Sequence, residues 1–397
     1  MPWTKVSTVK LREEFVLKAL EPGAHMAALC REYGISRQNG YKWLHRFREE
    51  GLAGLRDRSR RPRGSRLRAS GETVMRVLEL RQQYGWGPKK LRTLLERGLK
   101  APDEAPSKRT IARILARANA TKKRRPRLAA DTRPEGAPNP TIEGPNDLWT
   151  VDFKGWWRAH NGERCEPLTV RDAFSRYVLR VGLLASTKTE LVQAEFQRLF
   201  ERNGLPKAIL SDNGPPFGAM RAPWGLTRLA AWWVSLGILV LHSRPACPQD
   251  NGGHERVHLD MLGLQERSAS NRQQQQVLCN EWQHEFNHVR PHEALDMKTP
   301  AEVYVPSPRR LGPKLVERRY PKGAMRRQVS KNGAFWWSGR AFFLSRALHG
   351  QTIALVPKTT DKARATLWFH HLLLGELDLE RGTRVEPVET RTCHPAA

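Results

Sequence analysis

Negative charge is scarce in this chain, and so are cysteines and long apolar runs. Against 68 lysines and arginines its 397 residues hold 40 aspartates and glutamates, a net charge of +28. Such an excess argues for a polyanionic partner, nucleic acid before an anionic membrane surface. No uninterrupted apolar stretch approaches the ~20 residues of a membrane span. The opening MPWTKVSTVKLREEF also lacks the apolar segment of a secretory signal. The five cysteines (Cys30, Cys165, Cys247, Cys279, Cys393) stand far apart with no C-x-x-C pair. That spacing excludes a disulfide framework and a zinc ribbon, and it fits a reduced, cytoplasmic setting. With 39% hydrophobic residues the chain can still build sizeable cores, in two to four domains at roughly 150 residues each.

Charge is uneven along the sequence. Residues 1–140 hold 33 Lys and Arg against 14 Asp and Glu, so they carry +19 of the +28 and form the expected DNA-holding part. Within residues 1–60 the stretch MAALCREYGISRQNGYKWLHRFREEG predicts a helix-turn-helix. Tyr33-Gly34-Ile35 makes the turn, Ser36 caps the second helix, and Tyr41, Leu44 and Phe47 form its inward stripe. Arg37, Gln38, Asn39, Lys42 and Arg46 remain to read bases or grip phosphate in a major groove. A plain helical hairpin with a solvated polar face is the alternative.

A basic stretch follows, LRDRSRRPRGSRLR, with Arg60, Arg61 and Arg63. A second helix-turn-helix is expected within 61–120. Pro88 starts one of its helices, and Ser107 caps another with Ile111, Ile114 and Leu115 buried and Lys108, Arg109, Arg113 and Arg117 outward. Residues 121–145 are rich in proline and glycine and open on Lys122, Lys123, Arg124 and Arg125. This composition cannot build a core, so the main domain boundary is expected here.

From residue 146 the texture becomes α/β. LWTVDFKGWW and EPLTVRDAFSRYVLRVGLL predict strands joined at Asn161-Gly162, a strong hairpin signal. A helix follows from Thr187, with Thr187 and Glu190 as a capping box and Val192, Phe196, Leu199 and Phe200 buried. KAILSD, a helix in GLTRLAAWWVSLG, ILVLHS and a helix in HERVHLDMLGLQERS complete a mixed five-stranded sheet covered by helices through residue 306. Residues 307–397 carry short aromatic strands with turns at Asn332-Gly333 and Ser338-Gly339, which predicts a small all-β barrel.

Three carboxylates stand where strand ends meet helix starts: Asp152 late in the first strand, Asp212 at the end of the fourth, Glu255 near the start of the helix after the fifth. In an open α/β sheet such positions converge although they are far apart in sequence. Convergent acids repel, and two divalent cations about 3.5–4 Å apart would hold all three ionised. The chemistry that wants this site is phosphoryl transfer. Mg²⁺ is the expected ion, with Mn²⁺ as a substitute, because zinc would want Cys and His at ligand spacing.

LWTVDFKG, ILSDNGPPF, GLTRLAAWWVSLGI, RPACPQDNGGHERVHLDML and EFNHVRPHEALDMKTPAEVY, taken in this order, resemble the bacterial insertion-sequence DDE transposases with a retroviral-integrase-like catalytic core. The resemblance implies an RNase H-like fold and carries the catalytic, metal-holding triad onto Asp152, Asp212 and Glu255. It implies 3′-end cleavage and strand transfer on double-stranded DNA, both transposon ends and target. A homodimer or higher assembly on DNA is implied as well. The interval from the second acid to the third is longer than the family's, with GAMRAPWGLT as the extra length. Two other readings are a non-catalytic helix-turn-helix regulator and a related metal-dependent nuclease.

Neighbours of the triad divide between support and structure. Asn213 either orients a metal water or makes an Asx-turn, and Asn251 and Gly252 either let DNA approach or start the helix. Arg256 flanks Glu255. His258 lies one turn on, within reach of a phosphate or engaged in a structural hydrogen bond. His288 and His292 are separated by Pro291 and read as a hinge, and Asp172 and Asp250 as turn or ion-pair acids. Trp149, Trp156, Trp157, Trp232 and Trp233 are either core or stacking platforms.

Overall fold

The computed structural model describes residues 7–58, 69–98, 105–121, 141–219, 222–244, 247–312, 320, 323–358 and 364–378. Of the expected DNA contacts, Arg60, Arg61, Arg63, Lys122, Lys123, Arg124 and Arg125 lie outside the described residues. The chain divides into two compact units, Met1–Ser70 and Gly71–Ala397. The second helical segment falls in the same unit as the α/β core.

In the first unit, α1 (Thr8–Leu20), α2 (Met26–Glu32) and α3 (Arg37–Glu50) enclose a core of Phe15, Val16, Cys30, Leu44 and Leu55. The Ser36 hydroxyl accepts from the Asn39 amide at 3.3 Å and caps α3 as expected. The inward stripe holds at Leu44 and Phe47 and fails at Tyr41. Tyr41 is exposed, and Gly40 takes its place beside Leu44. A Cβ at Gly40 would stand 2.6 Å from Cys30 Sγ and 2.9 Å from Phe15 Cζ, so only glycine lets α3 approach this closely. Arg37, Gln38, Asn39 and Lys42 are exposed together on the opposite side, with Arg46 half-buried.

The second unit opens with α4 (Gly71–Tyr84), α5 (Pro88–Gly98) and α6 (Lys108–Arg117). Ser107 caps α6, Ile111, Ile114 and Leu115 are buried, and Lys108, Arg109, Arg113 and Arg117 are exposed. Helix α5 is tied to the segment that closes the α/β core: Lys89 pairs with Glu293 at 2.5 Å and Arg97 with Glu302 at 2.9 Å.

The α/β core contains β1 (Leu148–Phe153), β2 (Trp157–Arg158), β3 (Arg164–Asp172), β4 (Val178–Leu184), α7 (Thr189–Asn203), β5 (Ala208–Ser211), α8 (Arg228–Ser235), β6 (Leu239–His242), α9 (Gly252–Asp260), α10 (Leu262–Glu266) and α11 (Arg272–His284). Its strands run β4-β3-β1-β5-β6, with β2 paired to the start of β3. β3 is antiparallel to β1, whereas β5 is parallel to β1 and β6 to β5, so the expected mixed sheet is present. Helix α7 begins at Thr189 with Lys188 at its N-cap, two residues later than the expected Thr187–Glu190 capping box.

Strand alternation sorts the two faces. Trp149, Val151, Leu168 and Val170 meet Phe196, Phe200 and Trp233 of α7 and α8 in one core. Cys165 and Val181 meet Val257, Met261 and Cys279 of α9 and α11 in another. Helix α8 is apolar all round because it serves two cores: Leu229 and Trp233 face the sheet, while Ala230, Ala231 and Val234 face the C-terminal strands.

Those strands are β7 (Met325–Gln328), β8 (Ala334–Trp337), β9 (Arg340–Phe343), β10 (Thr352–Pro357), β11 (Arg364–Phe369) and β12 (Leu372–Asp378). Among the described residues they do not close: β12-β11-β10-β7 is an open antiparallel sheet and β8-β9 a separate hairpin, in place of the expected barrel. Their apolar side chains have α8 to pack on and need no closure. Trp224 and Leu226, in the extra length after the second acid, join the same cluster.

Phe196 is fully buried, with its ring 4.8 Å from Trp233 and 5.6 Å from Phe200. Phe196→Ala is expected to cost about 3–5 kcal/mol, read as a lowered midpoint of the α/β core in denaturant titration.

Candidate active site

Asp152 and Asp212 owe their nearness to register. β1 and β5 pair in parallel, Trp149 with Ile209 and Thr150 with Leu210. Two residues beyond Thr150 comes Asp152, and two beyond Leu210 comes Asp212. Continuing the pairing sets the acids side by side, and period two points both to the face covered by α9. β5 ends at Ser211, so Asp212 leaves the ladder just as the chain turns. The Gly214 amide hydrogen-bonds its carboxylate, and His242 Nδ1 lies 3.1 Å from its backbone oxygen.

Helix α9 is seated on this face by two histidines. Thr169 is the antiparallel partner of Asp152. One proton assignment satisfies every group. Thr150 Oγ1 donates to His254 Nδ1 at 2.7 Å. His254 Nε2 donates to Thr169, 2.7 Å from Oγ1 and 3.1 Å from the backbone oxygen. His258 Nε2 donates to the same Oγ1 at 2.9 Å, and Thr169 gives its own proton to the Asp152 carbonyl at 2.9 Å. Glu255 follows His254 and is exposed at the start of α9. The structural role thus falls to His258. Sequence reasoning missed His254, Thr150, Thr169 and His242; the i, i+2 spacing of Thr150 and Asp152 on a strand was the available signal for Thr150 alone.

The acids feel one another. Asp152 is pushed up to about 6, first by burial, then by the charge of Asp212, with Glu255 adding to it. Burial raises Asp212 as well. Among the described residues no lysine or arginine is ion-paired with any of the three. Nor are three His, Cys, Asp or Glu side chains gathered closely enough to hold a metal ion. Glu255 is exposed at the start of α9, and its charge, with that of Asp212, raises Asp152. The donor set fits a hard divalent cation: oxygen ligands whose ionised forms are costly until a positive charge joins them.

The remaining candidates have the following surroundings. Asn213 Nδ2 donates to the Ser243 backbone oxygen and ties the two strand ends together. Arg256 lies 3.8 Å from Asp260. Asn251 occupies the N-cap of α9 without a side-chain capping bond. Asp172 accepts from the Asn146 amide and from Ser175, and Asp250 pairs with Arg244, as turn acids do. His292 is buried and held down to about 3, mainly by burial and by Arg290. Of the five tryptophans, Trp149 and Trp233 are core and Trp156 alone is exposed.

His254→Ala removes a buried ring and leaves the Thr150 hydroxyl without its acceptor, at an expected cost of about 2–4 kcal/mol in denaturant unfolding. The histidines also set a pH dependence. Burial holds His254 well below its usual range, and burial with Lys154 holds His258 down to about 4. The unfolded chain takes up these protons from about 6.5 downward while the folded chain refuses them, so stability falls from pH ~6.5 toward ~4. The raised Asp152 opposes this below about 6. His258→Gln is expected to flatten the loss, measured as the unfolding midpoint against pH.

Comparison with known proteins matches these parts separately. A Helix-turn-helix domain family matches residues 11–63 and a Homeodomain-like domain family residues 39–115. Integrase core domain families match residues 143–248 and 236–300. The insertion element IS407 uncharacterized 31.7 kDa protein of Burkholderia multivorans is 27% identical over 40% of this chain and 55% of its own length. The insertion element IS476 uncharacterized 39.2 kDa protein of Xanthomonas euvesicatoria is 27% identical over 40% of this chain and 44% of its own. The chain thus spans about half the length of these curated relatives. Among solved structures, the dimeric HTLV-2 integrase catalytic core domain in complex with magnesium is similar at 17% identity and a TM-score of 0.31, covering 40% of this chain and 97% of that one. Helix-turn-helix and integrase core families thus match successive parts of this one chain, and the two relatives similar to it are insertion-element proteins.

Proposed function

We propose that this chain is a DNA transposase. It cuts the 3′ ends of an insertion element and joins them to target DNA by phosphoryl transfer, with Asp152, Asp212 and Glu255 as the catalytic acids. What carries the reading is the β1–β5 register, which continues to two acids on one sheet face under the helix that bears a third. Asp152, Asp212 and Glu255 are the residues that would hold magnesium, two ions in this reading with manganese as a substitute. When bound, the metal polarises the scissile phosphate and lowers the pKa of the attacking water or 3′-hydroxyl.

The chain's own residues supply position. Asp152 and Asp212 are held by strand backbone, and the His254–Thr169 contact keeps α9, with Glu255, against them. End recognition is assigned to the exposed starts of α3 and α6: Arg37, Gln38, Asn39 and Lys42 on one, and Lys108, Arg109 and Arg113 on the other. Their charge grips phosphate, and their amides and guanidinium groups read base edges. Two ends must be held together for joining, which implies a homodimer or higher assembly on DNA. Among the described residues no helix is long and apolar enough to cross a membrane.

The test uses the full chain with pre-cut end DNA and Mg²⁺. Asp152→Asn, Asp212→Asn and Glu255→Gln are each expected to lower strand joining by about a hundredfold or more, with end-DNA affinity in Ca²⁺ retained. Joining that persists in all three variants would sink the assignment, and cutting without joining in the parent chain would favour a nuclease. Protons compete with metal at Asp152 below about 6. Metal affinity is therefore expected to weaken by about tenfold per pH unit below that value, measured by calorimetry of the DNA-free protein.

A further inference from the structure

The α9 face carries one cation that this reading leaves unused. Arg171 stands two residues beyond Thr169 on β3 and is paired across the sheet with Thr150. It is 8% exposed, and its Nε is buried with no hydrogen-bond partner. Among the described residues no carboxylate forms an ion pair with it. Asp172, its neighbour in sequence, gives its oxygens to the Asn146 amide and to Ser175 instead. Burial pulls Arg171 down to about 10, so it remains charged at neutral pH. A side chain that only filled this space would serve better as an apolar one, because a buried charge without a partner is costly.

The guanidinium ends at the first turn of α9. A Cβ at Gly253 would collide with its Nη1 and stand 2.9 Å from its Nη2. Helix α9 has nine residues, and its N-cap Asn251 makes no side-chain capping bond. Its first-turn amides therefore lack a side-chain acceptor, at the positive end of the helix dipole. Two sets of donors, a buried fork and a helix start, thus meet two residues before Glu255.

We propose that Arg171 and the first turn of α9 form a binding site for a phosphodiester of the DNA strand, next along the backbone from the phosphate that Asp152, Asp212 and Glu255 address. The proposal rests on DNA being the substrate of those acids. A guanidinium fork matches two phosphate oxygens, and helix-start amides suit the same anion. The absence of a side chain at Gly253 lets the guanidinium reach the helix start.

The test reads affinity rather than joining, so failure of the site and failure of the catalytic reading are told apart. The full chain in Ca²⁺ is titrated with end duplexes in which one neutral methylphosphonate is stepped along the transferred strand. One position near the cut end is expected to weaken binding by about tenfold and to have no further effect on Arg171→Met. That variant is expected to bind end DNA with a salt slope shallower by about 0.9, and without DNA to unfold at a higher temperature than the parent. If Arg171→Met does not fold, Arg171→Lys, which keeps charge but not the fork, carries the same comparison. Methylphosphonates acting alike on parent and variant at every position would overturn the proposal. So would a less stable variant with an unchanged salt slope. Inorganic phosphate at constant ionic strength that stabilised the parent but not the variant, with no strand position distinguished, would assign the site to a free anion and equally overturn it.

Discussion

The arrangement depends on Thr169. This one hydroxyl, buried opposite Asp152 in the sheet, receives His254 and His258 from α9 and passes its own proton to the Asp152 backbone. A helix can lie on a sheet at many angles and shifts when only apolar contacts hold it. Two imidazoles converging on one oxygen leave few. Since Glu255 adjoins His254, the position of the third acid is set by uncharged contacts, buried at His254 and part-buried at His258, that do not involve the carboxylates. Burial keeps both rings neutral, which keeps the donor and acceptor pattern that the contact needs.

The same economy of position recurs in the rest of the second unit. Helix α8 serves the mixed sheet with Leu229 and Trp233 and the C-terminal strands with Ala230, Ala231 and Val234. The C-terminal sheet stays open because its apolar face already has a cover. The stretch after Asp212 contributes Trp224 and Leu226 to that cover. At the other end α5 is pinned to the closing segment through Lys89–Glu293 and Arg97–Glu302. The exposed start of α6 and the sheet face under α9 therefore belong to one compact unit.

Much of this was legible in the sequence, for reasons that are local. Ser36 and Ser107 cap helices because a hydroxyl there meets a free amide a turn away. The turn at Asn161-Gly162 works because glycine takes the positive φ of 84° that the hairpin requires. The alternation in LWTVDF put Asp152 on a definite face, and its parity survives in the folded sheet. Local rules failed where space decided. Tyr41 has the right spacing to be buried, yet Gly40 is the position at which α3 meets Cys30. Aromatic strands that could close a barrel stay open because α8 stands against them.

The sequence by itself determined the element types, the polarity of each face and the three acids at strand and helix ends, since these follow from spacing, propensity and charge. Only the tertiary structure decided what lies across a sheet or under a helix. It set Thr169 against Asp152, seated His254 and His258 on that threonine, left Arg171 charged and unpaired beneath Gly253, and joined α5 to the core. Thr169 and Asp152 are 17 positions apart, and the histidine and α5 contacts bring together residues 80 or more apart. No local period encodes them, because they depend on how whole surfaces fill space.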